Sequence, residues 1–166
     1  HPEDHSISKW GQVNEGEVSK ILGLAGIPSA SEALIVKRDI DIQKVAQARL
    51  HLTHISSALS VNYIKKAKSD DINVTADVTP HHLLLTESLL LDNKDTVYKM
   101  KPPLRTEKDR QALIEAIKTG VIDCIASDHA PHTVQEKNQD FESAPFGVIG
   151  METSFSVTYD RLVKTG

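Results

Sequence analysis

The stretch LHLTHISSALSVNYIKKAKSDDINVTADV, residues 50–78, decides the fold class. Residues 50–53 form a short strand-like run, and residues 57–68 place Leu59, Tyr63, Ile64 and Ala67 at helical spacing. Residues 72–78 then alternate apolar and polar side chains, as a half-covered strand does. Strand, helix and strand in so short a stretch predict neighbouring parallel strands joined by a helical crossover.

Toward the N-terminus, Ser29 and Glu32 have capping-box spacing, and Ala33, Leu34, Ile40, Val45 and Ala48 give an approximate helical stripe ending near Arg49. Residues 1–28 hold Gly11, Gly16, Gly23, Gly26 and Pro28 without a clear period, and read as a long surface segment with one helical turn around residues 18–22. Toward the C-terminus, Pro80, Pro102 and Pro103 frame a mostly irregular stretch. Thr106 then caps a predicted helix bearing Leu113, Ile114 and Ile117 and ending at Gly120. Residues 121–126 read as a buried strand, residues 128–150 as loop and residues 151–164 as a last helix.

The alternation predicts an α/β protein with a parallel sheet. No glycine-rich phosphate loop follows any strand, which favours a barrel over an open nucleotide-binding sheet. Three complete strands are visible where a closed (β/α)8 TIM-type barrel needs eight, so residues 1–166 are expected to be a single partial domain. The opening His1-Pro2-Glu3-Asp4, without an initiator Met, fits a piece cut from something longer.

Composition narrows the function. With 39% hydrophobic and 25% charged residues, disorder is excluded, and no apolar run approaches the roughly 18 residues of a spanning helix. The net charge of −4, the sparse aromatics and a densest basic cluster of only Lys65, Lys66 and Lys68 make a poor nucleic-acid surface. Cys124 is the sole cysteine; it permits no intrachain disulfide and, inside an apolar run, reads as a buried thiol. A reducing, cytoplasmic setting with no membrane partner is expected.

Four places put polar, metal-competent side chains at or near the carboxyl end of a predicted strand, where barrel enzymes carry their sites. His54 follows the first strand; alone, it would more often be a core or loop histidine. Ser127-Asp128-His129-Ala130-Pro131-His132 follows the last strand, and an acid leaving a buried strand into a loop with two histidines demands a partner charge or a metal. The others are His1 with Glu3 and Asp4, and Asp77-Val78-Thr79-Pro80-His81-His82, in which at most one of the adjacent histidines can face a shared centre. Imidazole and carboxylate ligands without cysteine suit zinc, or less selectively manganese, cobalt or iron. A metal of this kind activates water near neutral pH, so hydrolysis is the expected chemistry, with Asp128 taking and returning a proton.

Further motifs join these: Gly26-Ile27-Pro28-Ser29, Leu52-Thr53-His54-Ile55-Ser56, Val78-Thr79-Pro80-His81-His82-Leu83, Lys101-Pro102-Pro103-Leu104-Arg105, residues 122–132 and Pro145-Phe146-Gly147. Together they resemble the dihydroorotases of the long-chain bacterial type, within the amidohydrolase superfamily. The resemblance runs nearly end to end and is most specific around Asp128. It implies roughly strands 5 to 8 of an amidohydrolase barrel, with His1, His54 and Asp128 following the fifth, sixth and eighth strands. It further implies a binuclear zinc centre, with His1 and His54 on the second zinc and Asp128 on the first as catalytic acid/base. His132 would hold the substrate carboxylate, and backbone groups near Phe146 and Gly147 would meet the substrate ring.

Two departures accompany the resemblance. Lys101 stands where many relatives have Asn, a longer cation that can reach an acidic substrate but accepts no hydrogen bond. The family's His-x-His pair and bridging acid or carboxylated lysine have no counterpart here, so the zinc site is incomplete in this chain and the isolated 166 residues are expected to be inactive. The implied substrates are dihydroorotate and N-carbamoyl-aspartate, and the expected assembly is a homodimer, with aspartate transcarbamoylase as a possible partner. Rival readings are a hydantoinase or allantoinase, and a non-catalytic dihydroorotase-like subunit supporting aspartate transcarbamoylase.

Overall fold

Helix α4 (Ala58–Ser69) shows how the local rules act. The Ser57 hydroxyl caps it by accepting from the Ser60 N–H, and Lys66 and Lys68 lie in its last turn, where the helix dipole favours cations. Its buried residues Ser60, Val61, Ile64 and Ala67 share one face. Leu59 and Tyr63, expected in the apolar stripe, are exposed.

The computed structural model describes residues 1–92 and 94–164. The chain begins with α1 (His5–Ser8), β1 (Val13–Asn14), α2 (Glu17–Leu22) and β2 (Gly26–Ile27), followed by α3 (Ser29–Ala46), β3 (Leu50–Leu52) and α4. Then come β4 (Val74–Val78), α5 (Pro80–Leu84), α6 (Leu89–Asp92), a 3-10 turn (Thr96–Tyr98), α7 (Glu107–Lys118) and β5 (Cys124–Ile125). Two short helices, α8 (Val134–Lys137) and α9 (Ser154–Tyr159), and a π-helical turn (Asp160–Lys164) complete it. No helix among the described residues is long and apolar enough to cross a membrane.

Strands β3, β4 and β5 form one parallel sheet in that order, with Leu52 opposite Ala76 and Asp77 opposite Cys124. This is the expected α/β pattern, three parallel strands linked through helices as in part of a (β/α)8 barrel. Helices α3, α4 and α7 supply the core against it, through Val36, Ile40, Ile64 and Leu113 packed with Leu52, Val74, Ala76 and Val78. The opposite face carries His51, Thr75, Asp77 and Cys124. Thr75 is exposed, and the His51 ring bonds both Thr75 Oγ1 and the Asp77 carboxylate.

Further sequence expectations are corrected. Cys124 is exposed, not buried, because β5 is a two-residue edge strand and Cys124 lies on the face without helices. Residues 1–28 are not merely irregular: β1 and β2 form a second parallel pair with α2 beside them. Ser29 is the first residue of α3 and not its cap, which is Pro28. The same helix buries Ala33, Val36, Ile40 and Gln43 and leaves Leu34 and Val45 exposed, since the spacing of the former set tracks the 3.6-residue turn more closely.

Released from the cap, the Glu32 carboxylate turns inward at 2% exposure. It accepts from the backbone N–H and hydroxyl of both Ser56 and Ser57. Arg105, 3% exposed, donates to the Ser56 hydroxyl, to Asn14 Oδ1 at 2.8 Å and to the Ile27 carbonyl at 2.7 Å. Asn14 passes the chain on to the Glu87 carboxylate at 2.8 Å. Glu32→Ala leaves the serine donors unmet and the buried guanidinium without its countercharge, and is expected to cost about 3–5 kcal/mol in urea unfolding. Leu34→Ala on the exposed face of the same helix is expected to stay within about 0.5 kcal/mol.

His82 on α5 is fully enclosed. Its Nε2 donates to the Pro102 and Pro103 carbonyls, both at 3.2 Å, and its Nδ1 receives the Thr79 hydroxyl at 2.7 Å. Burial, reinforced by the charges of Arg105 and His81, pushes its pKa down to about 3. The folded pKa lies below the unfolded value, so the unfolded chain binds the extra proton. Stability from this group is complete above about pH 6.5 and is lost as pH falls toward 3, with a slope of about 1.4 kcal/mol per pH unit. Denaturant titrations from pH 7 to pH 4 should show that slope, and His82→Gln should flatten it by up to one proton.

Candidate active site

Parallel strands send their carboxyl ends to one edge of the sheet, and the chain turns sharply there twice. His54, just past β3, and Asp128, just past β5, both adopt left-handed backbone angles, φ 57° and φ 48°, which are uncommon for residues with a Cβ. These turns bring His54 Nε2 to 3.4 Å from Asp128 Oδ1.

Between them β4 supplies Asp77, 2% exposed. Its Oδ1 accepts from the His54 backbone N–H at 2.7 Å and from His54 Nδ1 at 2.9 Å. Its Oδ2 accepts from Thr53 Oγ1 at 2.5 Å and from His51 Nε2 at 2.9 Å. Burial alone would raise its pKa, but the hydrogen bonds from His54, Thr53 and His51 outweigh that and hold the carboxyl far below the ordinary range. Asp128 is shifted the other way: burial raises its carboxyl, and the neighbouring imidazoles of His54 and His81 only partly offset it. The two acids on either side of His54 are therefore unlike, one a fixed anion and one readier to take a proton.

The predicted site residues divide into groups. His54 and Asp128 meet. His1 lies on the same side, but its Nε2 is bonded to Glu3 Oε2 at 3.0 Å. Glu3 also binds Lys101 Nζ at 2.9 Å, so Lys101 enters the site as half of an ion pair, with its ammonium 5.3 Å from the centre of the Phe146 ring. Beyond Asp128 the loop runs beside residues 146–150: Ala130 N–H donates to the Val148 carbonyl, and His132 Nε2 donates to the Phe146 carbonyl at 2.9 Å. Gly147, at φ 146°, has no room for a side chain, since a Cβ would lie 2.7 Å from the Ala130 carbonyl and 2.8 Å from the His132 ring. His132 and Gly147 line one apolar cleft of about 450 Å³ with Tyr98, Val134 and Ile149.

The adjacent histidines diverge, as their spacing requires. His82 faces inward, while His81 donates to the Ile149 carbonyl at 2.9 Å and keeps a buried Nδ1 without a hydrogen-bond partner among the described residues. Two supporting groups escaped the sequence reading. Asp77 had a signal, an acid inside an alternating strand, but no assigned role. Lys99 had none: its 2% exposed ammonium is caged by the carbonyls of Phe141, Glu142 and Ala144 and underlies the Phe146 ring at 4.6 Å.

As a donor set for a metal, His54 Nε2 and Asp128 Oδ1 fit: they converge from two strands, and the far nitrogen of the ring is held by a carboxylate, the usual support of a ligating histidine. They are part of a shell. Among the described residues no group of three His, Cys, Asp or Glu side chains is placed to hold an ion.

Residues 1–60 match the family model described as dihydro-orotase-like. Over all 166 residues the chain is 51% identical to a dihydroorotase of Macrococcus caseolyticus and 50% identical to one of Bacillus pumilus, and it spans 39% of the length of each. Among solved structures it resembles the dihydropyrimidinase of Brevibacillus agri over 100% of this chain and 38% of that one, with a TM-score of 0.84 at 24% identity. It also resembles the Saccharomyces cerevisiae dihydroorotase solved with 5-fluoroorotic acid, over 99% of this chain and 43% of that one, with a TM-score of 0.76 at 22% identity. The structural matches speak for the fold; the half-identical sequences make the whole chain similar to dihydroorotases, over a stretch equal to about two fifths of the length of those curated relatives.

Proposed function

We propose that the protein carrying this chain is a zinc-dependent dihydroorotase, interconverting N-carbamoyl-L-aspartate and L-dihydroorotate in de novo pyrimidine biosynthesis. The observation that carries the reading is the meeting of His54 Nε2 and Asp128 Oδ1 at the strand ends with Asp77 behind the imidazole. The identity of about half to curated dihydroorotases, sustained over the whole chain, supports the choice of substrate.

In this reading His54, Asp128 and His1 contribute to a binuclear zinc site whose other ligands lie outside these 166 residues. Zinc supplies the polarisation of a carbonyl and the lowered proton affinity of water that amide hydrolysis needs near neutral pH. Asp128 moves the proton: its carboxylate accepts from the attacking water and returns the proton to the departing ring nitrogen. His132 faces the substrate carboxylate, and Phe146 and Gly147 border the ring through their backbone. Lys101, already neutralised by Glu3, adds position more than net charge to an acidic substrate.

The test is the intact protein, loaded with zinc and assayed for dihydroorotate hydrolysis with hydantoin as the competing substrate. Turnover of dihydroorotate is expected, and Asp128→Asn should lower kcat by roughly 10²–10⁴-fold while the protein stays folded by circular dichroism. Preference for hydantoin, or a fully active Asp128→Asn, would overturn the assignment. The isolated 166 residues are expected to show no zinc-dependent turnover; activity there would sink the argument that ligands are missing.

A further inference from the structure

Four donors from three residues, His51, Thr53 and His54, converge on a single carboxylate at the open face of the sheet. Asp77 Oδ2 is occupied by Thr53 Oγ1 and His51 Nε2. That leaves Oδ1 to His54, which gives it both a backbone N–H and the ring Nδ1. The Asp77 carbonyl closes the same turn by accepting from the Ile55 N–H at 2.9 Å. One residue of β4 thus grips the chain through the whole of the left-handed bend at His54.

We propose that Asp77 is the positioning residue for His54: it holds the imidazole as the Nδ1–H tautomer and turns the Nε2 lone pair toward Asp128, while His51 and Thr53 keep its other oxygen occupied. A neutral imidazole has one N–H, and placing it on Nδ1 makes Nε2 the acceptor, the form a metal requires. With the proton on Nε2 instead, His54 would donate to Asp128, its Nδ1 lone pair would face the Asp77 carboxylate with no proton between them, and the ring could not ligate through the atom that faces Asp128. Because Oδ1 takes both His54 donors, rotating the carboxylate away would release the backbone turn and the ring together. Its consequence for zinc rests on the dihydroorotase reading; the tautomer itself does not.

The experiment uses the intact protein labelled with 15N-histidine and stripped of metal. Long-range 1H–15N correlation, at a pH where the ring is neutral, reads the tautomer directly, with the His54 signals assigned by their loss in His54→Asn. The wild type should show His54 protonated on Nδ1, and finding Nε2–H there overturns the proposal without any variant. In Asp77→Ala the Nδ1–H population should fall, and zinc affinity, read by competition with a chelator, should drop roughly 10–100-fold. Asp77→Glu should restore part of both, and Thr53→Val should leave the tautomer in place. A folded Asp77→Ala with unchanged tautomer and unchanged zinc affinity overturns the proposal. If the tautomer responds to Asp77 but the wild type binds no zinc, the positioning role stands and the metal reading falls.

Discussion

The Glu32 carboxylate, buried beneath the turn that follows β3, takes hydrogen bonds from the backbone and hydroxyls of Ser56 and Ser57, and the Ser56 hydroxyl in turn receives Arg105. A buried charge survives only when its partners are all present, so this contact constrains each element that contributes to it. Helix α3 must present Glu32, the segment before α7 must present Arg105, and the β1–β2 pair must lie where Asn14 and the Ile27 carbonyl can meet the guanidinium. Ser56 stands two residues beyond His54. The network therefore fixes, from the helical side, the same turn that Asp77 fixes from the open side of the sheet.

This division of labour across the sheet explains how the site is built. The face toward α3, α4 and α7 is apolar and supplies cohesion through Leu52, Val74, Ala76, Val78, Ile64 and Leu113. The other face is polar, and there His51, Thr53 and Asp77 form a ladder of hydrogen bonds that costs little because each member satisfies another. At the strand ends the two regimes meet, and there the chain accepts left-handed turns at His54 and Asp128. Such conformations persist only where the surroundings over-determine them. Here the surroundings are the Asp77 carboxylate for His54, and for the stretch beyond Asp128 the loop held against residues 146–150 by Ala130 and His132.

A second support sits under the loop around Phe146 and Gly147. Lys99 brings an ammonium into the interior and surrounds it with three carbonyls, burial lowering its proton affinity, so the cation organises residues 141–144 from within. Gly147 donates to the Lys99 carbonyl at 2.9 Å, which ties the glycine beside His132 to the same anchor. Packing of this kind lets a loop carry binding groups with the rigidity of the core.

The sequence by itself determined a good deal. Periodicity marked α3, α4, α7 and the three strands of the sheet, Thr106 marked the start of α7, and polar residues just beyond strands marked His54 and Asp128. These signals are local: a cap, a stripe or an alternation is written within a few residues. What tertiary structure alone decided was which side of each pattern is covered and which polar groups become partners. Alternation shows that Asp77 and Val78 point opposite ways, yet it cannot say that helices cover one side while His51 and His54 wait on the other. Cys124 looked buried beside apolar neighbours and is exposed, Glu32 looked like a cap and is the centre of a buried network, and Lys99, which carried no sequence signal, is enclosed. In each case burial depends on segments tens of residues away, and only their packing sets the solvent and the countercharges a side chain meets.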